Sequence, residues 1–256
     1  MRGPGFAAAL RDRRPLVGYW SVLDSAASTE QVASLGYDFV CLDLQHGFVD
    51  HSGMLRGLTA VDRSAVGLVR VGANAPPDIG RALDAGAAGV IVPLVDSAAA
   101  AAAAVRSATY PPAGQRSYGP MRAWLHHGTV PADADAHRVV IVMIETAAGL
   151  ANVGEICGVD GVDGVFVGPA DLCLSLGGSG PDDPEVQDRL EDALRRVTAA
   201  AAASGLAAGI HVGTGAEAAR RLDEGFTFAC VASDLTHLLE AARHHLTAAR
   251  TVPANS

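Results

Sequence analysis

The sequence predicts a single (β/α)8 barrel, an α/β fold in which eight parallel strands close on themselves. Three observations predict it. Short apolar runs alternate eight times with longer helical stretches, and the runs are apolar throughout, as is typical of strands covered on both faces. No Gly-x-Gly-x-x-Gly motif follows the first run, which disfavours an open dinucleotide-binding sheet. Because barrels of this length form one domain, we expect residues 1–256 to be a single barrel domain.

The predicted strands are rich in Val, Ile and Phe and lie at regular intervals along the chain. Their bounds are Val17–Ser21, Phe39–Asp43, Val66–Val71, Gly89–Val95, Val139–Glu145, Gly164–Gly168, Ala208–Val212 and Phe226–Ala232.

The predicted helices are marked by capping residues at their starts and by glycines at their ends. They run from a cap at Ser28 to Gly36, from Pro76 to Gly86, from a cap at Ser97 through seven alanines, from about Asp183 to Ser204, from Gly215 to Gly225, and from Asp234 to about Arg250. One long irregular stretch, Tyr110 to Arg138, follows the fourth helix. A loop of that length inside a compact domain is usually functional.

Composition excludes several mechanisms. All 19 basic residues are arginine, so the chain has no lysine. Schiff-base aldolases, pyridoxal-phosphate enzymes and Walker-type phosphate loops each require a lysine amine. The formal net charge of −9 disfavours binding to nucleic acid and to anionic membranes.

The sequence also predicts the compartment. Its four cysteines lie far apart without a CxxC pair, so they suggest neither a zinc site nor a disulfide framework. The apolar stretch Phe6 to Leu10 is too short for a signal peptide, and no apolar run of about 18 residues follows. We therefore expect a soluble, cytoplasmic enzyme.

Polar residues stand where four of the strands end. They are His46, Arg70, Glu145 and Asp171. Each has an ordinary explanation when taken alone, such as helix capping for the two acids or a structural role for the histidine. Barrel enzymes, however, place their chemistry at the carboxyl ends of the strands, and joint placement at four strand ends favours an active site.

The types of these residues indicate metal-assisted chemistry. Glu145 and Asp171, without a neighbouring His or Cys ligand, suit a hard divalent cation such as Mg2+, Mn2+ or Co2+. A 2-oxo acid would supply further oxygen ligands, and the metal would stabilise the enolate formed when a C–C bond beside the carbonyl breaks. Arg70 would add positive charge at the oxyanion, and His46 would move a proton. Asp84, late in its helix, would either orient His46 or serve only as a solvated or capping residue.

The ordered set of motifs resembles the HpcH/HpaI aldolase family over about Val17 to Ala242. The segments that carry the resemblance are Asp43-Leu44-Gln45-His46-Gly47, Leu68-Val69-Arg70-Val71, Leu83-Asp84-Ala85-Gly86, Tyr110–Pro120, Met143-Ile144-Glu145-Thr146 and Gly161–Leu172.

The resemblance implies a barrel of the phosphoenolpyruvate/pyruvate type, usually hexameric, that cleaves 4-hydroxy-2-oxo acids to pyruvate (or an analogue) and an aldehyde. It implies that His46 is the catalytic base, Asp84 its partner and Arg70 the residue that stabilises the transition state. By the same resemblance Glu145 and Asp171 bind the metal, and Arg70, Ala170 and Asp171 bind the substrate.

Two departures and two alternatives accompany this resemblance. Family members often have Glu where this chain has Gln45, and Gln where it has Met143, whose thioether cannot replace an amide's hydrogen bonds. A CoA-thioester lyase of the citrate- or malyl-CoA type would use the same acid pair, but it would also need basic residues for the CoA phosphates. A catalytically silent binding barrel would be expected to lose Arg70, Glu145 or Asp171, and all three are present.

Overall fold

The computed structural model describes residues 3–250 and contains a closed barrel of eight parallel strands in sequence order. The prediction of a (β/α)8 barrel is confirmed. The strands are β1 Leu16–Ser21, β2 Phe39–Asp43, β3 Val66–Arg70, β4 Gly89–Val92, β5 Val139–Ile144, β6 Gly164–Val167, β7 Ala207–Val212 and β8 Phe228–Ser233.

Helices follow every strand, and one further helix precedes β1. They are α1 Gly3–Arg11, α2 Ala26–Ala33, α3 His51–Val61, α4 Pro76–Asp84, α5 Ala98–Ala108, α6 Trp124–His127, α7 Pro131–His137, α8 Ala147–Ala151, α9 Val153–Cys157, α10 Pro169–Ser175, α11 Gln187–Ala203, α12 Gly215–Asp223 and α13 Asp234–Arg250. A short 3-10 turn, Pro184–Val186, leads into α11.

Three local predictions were wrong. The cap of α2 is Ser25, whose side chain accepts from the backbone N–H of Ser28, so that helix starts earlier than predicted. Strand β4 stops at Val92 because Pro93 cannot donate to the ladder and Leu94 has a φ of 55°. The stretch from Tyr110 to Arg138 is not irregular throughout, since it contains α6 and α7.

Side chains alternate between two separate cores. Inward-facing residues fill the barrel, while the intervening residues pack against the surrounding helices. Glycines inside the barrel make room for aromatic rings: a Cβ at Gly18 would lie 2.2 Å from the Phe39 ring, and one at Gly209 would lie 2.2 Å from Phe228. The barrel interior is therefore a packed core rather than a pore.

Helix α1 closes the amino-terminal end of this inner core. Phe6 and Leu10 are buried in the same cluster as the strand residues, and the Phe6 ring meets that of Phe39 edge-on at 5.6 Å. Arg11 fixes the helix by donating to the Asp163 carboxylate at 2.7 Å and to the Arg138 carbonyl at 2.9 Å. The apolar stretch Phe6 to Leu10 thus acts as a plug.

Across residues 3–250, none of the helices has both the length and the apolar character needed to cross a membrane.

The α1 plug generates a stability prediction. We expect Phe6→Ala to lower the free energy of unfolding by about 3–5 kcal/mol, because it removes a fully buried ring and leaves a cavity. Phe48→Ala is the matched control, since 71% of the Phe48 side chain is exposed and its loss should cost less than about 0.5 kcal/mol. Urea unfolding of both variants measures the difference, and equal midpoints would contradict the role of α1.

Candidate active site

The inward-facing positions at the carboxyl end of the barrel carry polar side chains. These side chains surround a cavity of about 420 Å³. Because side chains alternate along a strand, Arg70 follows buried Leu68 inward, Glu145 follows Met143, and His211 follows Gly209. The fold therefore directs functional groups from several strands towards one opening.

Asp43 and Arg70 form a bidentate ion pair at the floor of this site. Arg70 Nε donates to Asp43 Oδ1 at 2.8 Å and Arg70 Nη2 donates to Asp43 Oδ2 at 2.5 Å. The two residues lie side by side in the register of β2 and β3, so the pair is set by strand pairing. Burial raises the pKa of the Asp43 carboxyl, but the hydrogen bonds and charge of Arg70, together with the hydrogen bonds from Trp20 and Gln45, outweigh it, so the net pKa lies below its ordinary value.

Asp43 also accepts three further hydrogen bonds. Its carboxylate takes the backbone N–H groups of Gln45 at 3.0 Å and His46 at 3.2 Å, and the indole N–H of Trp20 at 3.2 Å. It therefore fixes the backbone of the turn that carries His46. The same indole ring stacks on Phe166 at 5.5 Å and lies 5.1 Å from the Arg70 guanidinium carbon.

Glu145 lies almost fully buried, with 2% of its surface exposed. Its Oε1 accepts the backbone N–H of Leu94 at 2.7 Å, which uses the left-handed conformation of that residue. A Cβ added at Gly168 would lie 3.1 Å from Glu145 Oε2, so a glycine there leaves space beside the carboxylate.

The four residues predicted from the strand ends come together electrostatically around Glu145. Burial raises the pKa of the Glu145 carboxyl, and the negative charge of Asp171 raises it further. The Leu94 N–H, Arg70 and His46 act in the opposite direction. Asp171 lies in the first turn of α10 and lines the cavity together with Ala170, His46 and Arg70.

Asp84 lies apart from this group. Its carboxylate accepts from Arg116 Nη2 at 2.7 Å, and the buried Arg116 guanidinium carbon lies 4.5 Å from the centre of the Tyr110 ring. No hydrogen bond joins Asp84 to His46 within residues 3–250, and Asp84 does not line the cavity. Its assignment as the partner of His46 stays a prediction.

Three further residues of the site, Asp43, Trp20 and His211, were not predicted from the sequence. A signal for Asp43 existed, because it ends β2 and an arginine, Arg70, ends the next strand along the chain. Trp20 and His211 occupy inward-facing strand positions that resemble ordinary core positions in a sequence. Their place in the site depends on which residues lie across the barrel, which no local pattern contains.

The carboxylates could hold a metal ion only as a pair. In the part of the chain that the structure describes, no three or more His, Cys, Asp or Glu side chains are grouped as a metal site. Glu145 and Asp171 would therefore leave most coordination positions to oxygens of water or substrate, as is usual for Mg2+.

The Asp43–Arg70 pair generates a second prediction. Asp43→Ala should lower the free energy of unfolding by about 3–5 kcal/mol, because it leaves the Arg70 charge buried without its partner. Asp192→Ala removes an exposed partner of Arg195 and should cost less than about 1 kcal/mol. Chemical denaturation measures both changes. A loss at Asp43 no larger than that at Asp192 would show that the pair does not hold the site together.

Known proteins resemble this chain in sequence over most of its length. The family model described as HpcH/HpaI aldolase/citrate lyase matches residues 16–241. A hydroxypyruvate/pyruvate aldolase from Rhizorhabdus wittichii is 40% identical, over 93% of this chain and 96% of its own length. A 4-hydroxy-2-oxovalerate aldolase from Rhodococcus jostii is 41% identical, over 91% of both chains.

A solved structure also matches almost completely. The crystal structure of an HpcH/HpaI aldolase/citrate lyase family protein from Burkholderia cenocepacia superposes with a TM-score of 0.88 at 35% identity, covering 97% of this chain and all of that one. The aldolase names of the relatives support carbon–carbon lyase activity over CoA-thioester cleavage and over a silent barrel. The chain belongs to the HpcH/HpaI aldolase/citrate lyase family.

Proposed function

We propose that this aldolase uses a divalent metal, Mg2+, Mn2+ or Co2+, to cleave or form 4-hydroxy-2-oxo acids through a pyruvate enolate. The products of cleavage are pyruvate, or a close analogue, and an aldehyde. The observation that carries the proposal is the pair of carboxylates, Glu145 and Asp171, within electrostatic range of each other and beside Arg70 and His46.

The residues present fit such a metal. Two like charges near each other inside a protein repel, and Glu145 is nearly fully buried, so a cation held by Glu145 and Asp171 would relieve this electrostatic cost. Both donors are hard oxygen ligands, and the glycine at position 168 leaves room beside Glu145 Oε2. When bound, the metal would act as a Lewis acid towards the 2-oxo group.

The protein's own groups account for the proton transfers. In the cleavage direction His46 takes the proton of the C4 hydroxyl, the C3–C4 bond breaks, and the C4–O bond becomes the aldehyde carbonyl. The electron pair of the broken bond forms a C2–C3 double bond, and the negative charge passes to the C2 oxygen, which gives the enolate. His46 returns its proton to C3, which gives pyruvate, so atoms and charge balance. His46 is exposed at the cavity, as a proton carrier must be.

Arg70 is placed to stabilise the developing oxyanion. Its Nε and Nη2 are used by Asp43, whereas Nη1 donates to no other residue within residues 3–250. A guanidinium held rigidly on one side and free on the other is a preorganised donor, which needs little rearrangement during the reaction. Ala170 and Asp171, in the first turn of α10, complete the substrate-binding set.

The proposal also covers the domain, the cellular location and the assembly of the protein. We propose a single domain over residues 1–256, a cytoplasmic location and a homohexamer. In it α13, which exposes Leu238, Leu239 and Leu246, packs between subunits. We also propose, from the family resemblance, that Asp84 acts as the partner of a catalytic His46.

Metal removal tests the reaction. We expect release of pyruvate from oxaloacetate and from a racemic 4-hydroxy-2-oxo acid in the presence of Mn2+ or Mg2+. EDTA should abolish the release and added metal should restore it, because the enolate needs the cation's charge. No release from either substrate with any divalent metal would overturn the proposal, and turnover that requires CoA thioesters would replace it.

Ligand substitution tests the assignment of the metal site. Loss of a residue that merely supports a ligand costs about 10- to 100-fold in metal affinity, so Glu145→Gln and Asp171→Asn should each raise the Mn2+ concentration for half-maximal activity at least as much. The control is Glu155→Gln, an exposed acid on α9. Manganese titration of pyruvate release measures the shift. An unchanged requirement in both ligand variants would place the metal elsewhere.

A further inference from the structure

His211 is a partly buried histidine that the proposed reaction does not use. It lies on β7, faces into the barrel and lines the cavity beside Val212 and Gly213. Its ring meets the indole of Trp20 edge-on at a centroid distance of 5.5 Å. An imidazole in the wall of a substrate cavity needs a partner for each ring nitrogen.

One of these nitrogens has a fixed partner. His211 Nε2 lies 3.2 Å from the carbonyl oxygen of Ala232. A carbonyl can only accept, so Nε2 carries the hydrogen and Nδ1 carries a lone pair. Within residues 3–250, Nδ1 makes no hydrogen bond, and it is not among the solvent-inaccessible unpartnered atoms.

The backbone at Ala232 has an unusual conformation at this contact. Ala232 has a φ of 47°, a conformation that costs a non-glycine residue roughly 1–3 kcal/mol. It is also the residue skipped where β1 pairs with β8, because Tyr19 pairs with Val231 and Trp20 pairs with Ser233. This bulge turns the Ala232 carbonyl towards β7, and such bulges often re-aim groups beside active sites.

The surroundings favour a neutral ring. Burial lowers the pKa of His211, and the positive charge of Arg70 acts in the same direction, against the Ala232 carbonyl and the acids Asp43 and Glu217. Nδ1 therefore remains a hydrogen-bond acceptor at neutral pH. The group that it would accept from must be a donor, and the substrates of an aldolase carry such donors as hydroxyls.

The cavity wall beside His211 is unsuited to an anion. Glu217 and Asp182 also line the cavity, and Arg70 is its only arginine among the described residues. A second substrate carboxylate placed here would meet like charge. An uncharged hydroxyl would meet no such repulsion.

We propose that His211 is a specificity-determining residue that accepts a hydrogen bond from a hydroxyl next to the carbonyl of the substrate. The inference rests on the proposed aldolase function and adds a substrate class to it. That hydroxyl belongs either to the 2-oxo acid, as in hydroxypyruvate, or to the aldehyde, as in glycolaldehyde. Sites that hydrogen-bond a hydroxyl discriminate strongly against analogues that lack it.

Two pairs of near-isosteric substrates distinguish these sources. Hydroxypyruvate and 2-oxobutyrate are compared as donors with one fixed aldehyde, and glycolaldehyde and propionaldehyde are compared as acceptors with pyruvate. The wild type should favour the hydroxylated member of at least one pair by about 10-fold or more in kcat/KM. His211→Phe should bring that ratio near one, while His211→Asn, whose amide oxygen can replace the Nδ1 lone pair, should retain most of it.

The control variant is His51→Phe, an exposed residue at the start of α3. It should leave both ratios unchanged. Wild-type ratios near one in both pairs, or ratios that survive His211→Phe, would overturn the role of His211. Because metal-dependent pyruvate release from oxaloacetate is measured in the same preparations, failure of this inference is distinguished from failure of the proposed function.

Discussion

The active site depends on one carboxylate. Asp43 accepts hydrogen bonds from Arg70, from Trp20 and from the backbone of Gln45 and His46. It thereby fixes the guanidinium, the aromatic floor and the turn of the proposed base at once. A buried arginine without this partner would bear a desolvation cost, so the same interaction that orders the site also makes the charge tolerable.

The barrel supplies the positions that this carboxylate organises. Parallel strands of matched register bring Asp43 and Arg70 to one level. The two-residue alternation turns His211, like Gly209 before it, and Glu145, like Met143 before it, towards the inside of the barrel. Glycines at positions 18 and 209 leave space for the rings of Phe39 and Phe228, so the barrel interior is densely packed. The residues at the rim therefore lie above a densely packed core.

Much of this arrangement could be predicted from the sequence. Uniformly apolar runs identified the eight strands because both faces of each are buried, and the polar residues at their ends identified His46, Arg70, Glu145 and Asp171 as a group.

The sequence did not show which residues, distant along the chain, contact each other in the folded barrel. Asp43 gains its role from a neighbouring strand, and His211 from a bulge in a strand pairing that does not include β7. Helix α1 resembled a short apolar stretch, since nothing local showed that it would fill the end of a barrel. Asp84 pairs with Arg116, which lies 32 residues further along in a segment without clear periodicity.

The closure of β1 against β8 has a consequence for how the chain becomes a protein. Ser21 and Asp234 share a hydrogen bond although 213 residues separate them, and the bulged pairing that supports His211 belongs to the same seam. Contacts of such sequence separation form late, because long loops must close first. Until that seam forms, β1 has one unpaired edge, and Phe228 of β8 is missing from the inner core that Phe6 of α1 joins. The contact of His211 with Ala232 and the inner core under α1 both involve β8, so unpaired strand edges and apolar surface are exposed while the two ends of the chain are still apart.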